Sequence, residues 1–117
     1  QNKPLTVFGN GEQTRDFVYA GDIAQAAAKA VALTGYNVIN ISTGKETSLN
    51  SLLEAFKSAC GHELTVNYTP ARSGDIFRSV LSNKKLEALL GFVPQMDIEH
   101  GIPKTYNDYL ARRKEGL

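Results

Sequence analysis

Tryptophan is absent from these 117 residues, methionine and cysteine occur once each, and histidine occurs twice. A lone thiol, Cys60, cannot close an internal disulfide and reads as a small buried residue at a helix end. His62 and His100 lie far apart and form no metal-ligating pattern. Long apolar runs are missing too. The richest one, AAAKAVAL from Ala26 to Leu33, is short and interrupted by Lys29, so no membrane span is available. With no signal-like apolar segment at the N-terminus, the simplest compartment is the cytoplasm. Charge of either sign is not in excess. A net charge of +1 gives no basis for nucleic acid or an acidic membrane surface as partner, and Arg112-Arg113-Lys114 reads as a solvated helix end.

Three functional signatures are also missing. Gly9-Asn10-Gly11-Glu12-Gln13-Thr14 starts like a dinucleotide loop but lacks the third glycine, and a strand-like run follows it where the fingerprint requires a helix. No tyrosine is followed four positions later by lysine: Ile23, Asn40, Arg72, Leu110 and Arg113 occupy those places. Ser42 and Ser73 lack the glycine flanks of a nucleophile elbow. By its own residues the chain is a binder.

What is present is a core-forming composition, 42% hydrophobic and 21% charged, sized for one globular unit over 1–117. The chain opens at Gln1 without an initiator methionine and inside a strand-like run, which predicts that it is part of a larger protein. Strands are predicted at Leu5–Phe8, Arg15–Tyr19, Asn37–Ile41, Leu64–Tyr68 and Arg78–Leu81 from short Val, Ile, Phe, Tyr and Thr-rich runs. Asp22 is expected to cap a helix over Ile23–Leu33 that stops at Gly35. A second helix has a capping hydroxyl at Thr47 or Ser48, an apolar face of Leu49, Leu52, Leu53, Phe56 and Cys60, and a stop at Gly61. A third runs from Ser82 to Gly91, and a fourth from about Asp97 to Arg113, in which Pro103 should impose a kink or a fresh start. The alternation makes a mixed α/β unit with parallel pairings, short strands and about four helices.

Polar residues beyond the needs of a turn collect in Gln13-Thr14-Arg15-Asp16 and in Thr69-Pro70-Ala71-Arg72-Ser73-Gly74-Asp75. Arg15 and Arg72, brought together, would clamp a diphosphate, since a guanidinium offers paired donors and keeps its charge. Asp75 could accept from sugar hydroxyls, and Phe8 could present a ring to a base. The plain alternative is that these are turns with surface Arg–Asp ion pairs.

The segments FGNGEQTRDFVYAGDIAQA, NVINISTGKETSLNSLLEAF and YTPARSGDIFRSVLSNKKLEALLGFVPQMDIEHGI, in that order, resemble the C-terminal part of NAD-dependent sugar-nucleotide epimerases of the extended short-chain dehydrogenase type. They are most like the bacterial UDP-glucose 4-epimerases. The resemblance runs from about Pro4 to Tyr109. It implies a Rossmann-type enzyme whose N-terminal half, not included in this chain, binds NAD and carries the catalytic tyrosine and lysine, while this part holds a UDP-sugar; the full-length enzyme would be a homodimer. The family's uracil-stacking ring falls on Phe8, its diphosphate-binding arginines on Arg15 and Arg72, and its ribose-binding carboxylate on Asp75. Gly21, Ser73 and Pro103 depart from the family pattern without removing a binding residue. The shared nucleotide grip does not distinguish a 4-epimerase from a sibling dehydratase or decarboxylase. A free-standing nucleotide-sugar-binding module is the reading outside the enzyme class. Arg78 reads as a strand-edge residue.

Overall fold

The computed structural model describes residues 3–116. Four helices and four short strands follow one another as β1 (Leu5–Phe8), β2 (Thr14–Arg15), α1 (Ala20–Ala30), β3 (Thr47–Ser48), α2 (Leu49–Cys60), β4 (Val66–Thr69), α3 (Lys84–Leu90) and α4 (Ile98–Lys114). The mixed α/β class is the one the sequence predicts. β1 pairs in parallel with β4, Leu5 opposite Val66 and Phe8 opposite Thr69, a geometry that needs the long crossover supplied by the residues between them. β2 and β3 make a two-residue antiparallel ladder, with Arg15 opposite Thr47.

The second helix is the one best encoded locally. Ser48 Oγ accepts from the Ser51 amide at its N-terminus, and Gly61, at φ 71°, closes it with its amide on Lys57 O. Such a cap contributes about 1 kcal/mol. Its half-buried apolar face packs on α4. Cys60 ends this helix half-buried, with its thiol directed to the carbonyls of Lys57 and His62. α3 closes on Gly91 as expected, although its N-cap is Asn83, one residue past the expected serine.

Several expectations are corrected. Asn37–Ile41 and Arg78–Leu81 form no ladder among the described residues, and Arg15–Tyr19 shortens to Thr14–Arg15. A strand needs a neighbour for its amides and carbonyls, and propensity cannot supply one. The period-2 pattern nevertheless persists in 38–41: Ile39 and Ile41 pack on the cluster of Ala26, Leu86 and Phe92, while Val38 is 61% exposed. α1 starts earlier than expected, at Ala20, and ends at Ala30, well before Gly35. Asp22 is not its cap. It lies inside α1, buried, and its Oδ2 accepts from the amides of Gln95 and Met96 at 3.1 and 2.9 Å. α4 runs without interruption through Pro103, capped by Asp97, whose carboxylate accepts from the His100 amide. The lost donor at Pro103 removes one bond of the ladder, and the turns on either side carry the helix across it.

Candidate functional site

The Gly9–Arg15 loop leads out of β1 and into β2, and its shape is fixed by the start of α2. The first two amides of that helix donate outward: Leu49 N to Gln13 O at 3.1 Å and Asn50 N to Gly11 O at 3.0 Å. The Asn50 side chain adds bonds from Nδ2 to Asn10 O (3.1 Å) and Glu12 Oε1 (2.6 Å), and its Oδ1 accepts from Tyr68 on β4. Gly11 is required here twice over. Its φ is +79°, and a Cβ would lie 2.0 Å from Asn50 Oδ1. Gln13 turns inward and donates from Nε2 to Phe8 O at 2.6 Å, tying the two ends of the loop.

The second predicted loop is fastened to the first at both ends. Gly9 N donates to Thr69 O and Thr14 N to Phe77 O, both at 2.8 Å, so residues 70–76 arch out between two anchored points. Glu46 strengthens the far anchor by accepting from Thr14 Oγ1 at 2.7 Å and from Arg78 Nε at 2.9 Å, with a second Arg78 bond beside it. These bonds, from Arg78 first and Thr14 second, pull the Glu46 carboxyl down from 4.5 to about 2. Arg78 is therefore a loop residue holding Glu46, and the expected strand-edge role is corrected.

Within this frame Phe8 and Arg72 meet directly: the Arg72 guanidinium carbon stands 3.7 Å from the Phe8 ring centroid. Asp75 is exposed on the same arch, and its amide donates to Arg72 O at 3.3 Å. Arg15 is half-buried on β2, one residue from the Thr14 amide that anchors the arch, and its Nη1 donates to Thr14 O at 2.7 Å. Among the described residues, neither Arg15 nor Arg72 is in an ion pair. The neighbour Asp16 is committed elsewhere, to the amides of Thr43 (3.0 Å) and Gly44 (2.9 Å) and to the Thr43 hydroxyl. The plain reading of Arg15–Asp16 as a surface ion pair is thus not what the fold contains.

Asn50 and Glu46 were not singled out by sequence reasoning, and Gln13 and Asp16 entered it only as members of the polar stretch 13–16. Their partners lie up to 40 residues away, as for Asn50 and Asn10, and no local pattern marks them.

Neither the α2 nor the α4 helix start offers free amides to the phosphates of a dinucleotide. The α2 amides that could face a phosphate are spent on Gln13 O, Gly11 O and Ser48 Oγ, and the α4 start is closed by Asp97. The clefts between α2 and β4 and between α2 and α4 are lined by side chains other than Phe8, Arg15, Arg72 and Asp75, and the two stapled loops form a separate shelf on which Phe8 and Arg72 meet. No group of His, Cys, Asp and Glu among the described residues could hold a metal ion, and no described helix is long and apolar enough to cross a membrane.

In this mixed α/β unit Arg72 lies against the Phe8 ring, and Arg15 sits on the strand whose neighbouring Thr14 amide holds the end of the same arch. Residues 1–105 match the family model described as GDP-mannose 4,6 dehydratase, and the chain belongs to that family. It is 42% identical over 108 residues to a Methanocaldococcus jannaschii protein provisionally named UDP-glucose 4-epimerase, covering 92% of this chain and 34% of that one. Its fold matches the Thermotoga maritima UDP-glucose 4-epimerase solved with UDP-glucose (TM-score 0.84, 31% identity, 93% of this chain and 36% of that one). It matches equally the Bacillus cereus UDP-glucuronic acid 4-epimerase solved with UDP-glucuronic acid and NAD (TM-score 0.83, 27% identity, 95% and 36%). The chain thus spans about a third of the length of the relatives it matches.

Proposed function

We propose that this chain is the C-terminal, nucleotide-holding domain, residues 1–117, of an NAD-dependent UDP-sugar 4-epimerase acting on UDP-glucose and UDP-galactose. NAD and the sugar chemistry belong to the N-terminal Rossmann half of the same protein. That half would close over the shelf, and the full-length enzyme would be a homodimer. In this reading Phe8 stacks on uracil, Arg15 and Arg72 bind the diphosphate, and Asp75 accepts from the ribose hydroxyls.

The observation that carries the reading is that, among the described residues, both arginines lack a carboxylate partner while the loops bearing them are stapled together through Thr14 and Phe77. A free guanidinium held near the end of a second, anchored loop is suited to an anion with several oxygens. Epimerisation at C4 requires the nucleotide to stay fixed while the sugar changes face, and these residues do that fixing.

Calorimetric titration of UDP and UDP-glucose into the full-length protein tests the grip. Arg15→Ala and Arg72→Ala should each weaken both ligands roughly ten- to a hundredfold, as expected for a charge-assisted bond of about 1.5 to 3 kcal/mol, with NAD retained. Arg→Lys should recover only part of the loss, because an ammonium lacks paired donors. Changes below about twofold in both alanine variants, the size expected of exposed ion pairs, would remove the ligand role of these loops. The choice of sugar is read separately, by offering UDP-galactose and UDP-glucuronate as substrates.

A further inference from the structure

We propose that Arg72 covers the base-stacking face of Phe8 in the unliganded protein and vacates it only for a phosphate, so that this one side chain makes the site selective for a base and a diphosphate carried by the same ligand. The inference rests on the nucleotide-holding reading above and adds to it a coupling between two recognition events.

The guanidinium lies 3.7 Å from the ring centroid, the thickness of one stacked layer, so a base on that face and Arg72 on that face exclude each other. Arg72 is exposed and, among the described residues, without a carboxylate, so the ring is its one charge-stabilising contact. The arch carrying it has few internal ties. It is fastened at Thr69 and at Phe77, and between them the backbone bond from Asp75 N to Arg72 O is long, 3.3 Å, with Gly74 at φ +85° in open space.

Three ligands then meet different obstacles. Uridine must displace the guanidinium and leaves its charge uncompensated. Pyrophosphate must draw Arg72 off an intact stack and offers nothing to replace it on the ring. UDP does both in one step, since its phosphates take the guanidinium and its base takes the ring. The cost of displacing Arg72 is the conformational penalty that each partial ligand bears alone.

The test compares uridine, pyrophosphate and UDP in titrations of the full-length protein, with retained NAD as the check that each variant is folded. Arg72→Ala and Arg72→Gln should bind uridine about two- to fivefold more tightly than the unmodified protein, the size of an exposed cation–π contact, while binding UDP more weakly. Phe8→Leu should bind pyrophosphate about two- to fivefold more tightly for the same reason. Opposite signs for uridine and UDP are not expected of a merely structural arginine. If UDP weakens while uridine weakens too or stays unchanged, the exchange is overturned and the grip survives. If pyrophosphate binding is unmoved by Phe8→Leu, the exchange is likewise overturned. If UDP itself shifts by less than twofold in the Arg72 variants, the grip falls and the exchange with it.

Discussion

At the scale of single residues, the shelf depends on side chains that never touch a ligand in the proposed function. Gly11 and Asn50 are the clearest pair: one must lack a Cβ because the other's amide oxygen occupies the space. Gly11→Ala should destabilise the full-length protein by about 1 to 3 kcal/mol, from the positive φ and the clash together, read as a lower urea midpoint. Asn50→Ala removes the clash partner, so the double variant should lose less than the sum of the single losses; strict additivity would show that the contact is not the cause. Asp22 makes the same point in a buried setting. Its carboxylate holds two amides of the turn before α4, and Asp22→Ala would leave both unsatisfied, a loss of about 1 to 3 kcal/mol.

At the scale of elements, Glu46 joins three of them: the loop after residue 42, the β2 strand bearing Arg15, and the end of the arch bearing Arg72 and Asp75. Its carboxyl titrates lower in the fold, at about 2, than its ordinary 4.5. A depressed acid contributes stability that is complete above its unfolded value and is lost as pH falls toward its folded value. Glu46→Gln should therefore lower the urea midpoint at neutral pH, and the difference from the unmodified protein should shrink below about pH 4.5 and close near pH 2, as that linkage requires. Asp97, lowered by its bonds from His100, acts in the same direction in both proteins and cancels in the comparison. A difference that persists unchanged into acid would assign the Glu46 effect to packing instead.

At the scale of the whole molecule, the chain is more open than a compact domain of its length. Its radius of gyration is 16.8 Å and its extents are 48 × 39 × 21 Å, against about 13 Å expected for a compact chain of this length. The buried apolar core of the described residues comprises Val7, Ala26, Leu86 and Phe92, while Val31 and Tyr36 are 85% and 92% exposed. Val38, Ile76, Phe77 and Leu81 are each more than half exposed as well. Such a surface is expected to lie against the remaining two thirds of a longer protein, where 36–41 would also find a strand partner. The isolated 117-residue chain should bind a hydrophobic dye strongly or self-associate, and it should neither retain NAD nor epimerise UDP-galactose. A dye-silent monomer in sedimentation would count against the larger-protein reading, and turnover by the chain alone would overturn it.

Some features needed only the sequence. The α2 helix carries its own cap, apolar stripe and glycine stop within fifteen residues, so local chemistry specifies it fully. β1 and β4 have enough β-branched and aromatic residues to be found, and the motif order around Phe8, Arg15, Arg72 and Asp75 is enough to place the chain in its family. What tertiary structure alone decided is where partners lie. Asn37–Ile41 has a strand's alternation, yet a ladder is a property of two segments, and no described residue supplies the second. Asp22 has the form of a helix cap and becomes a buried acceptor because a turn 73 residues later reaches it first. Arg15 and Asp16 adjoin in sequence but separate in the fold, since the aspartate finds two backbone amides at the Thr43–Gly44 turn, and a carboxylate prefers fixed, converging donors to a neighbouring side chain that must give up its freedom to pair.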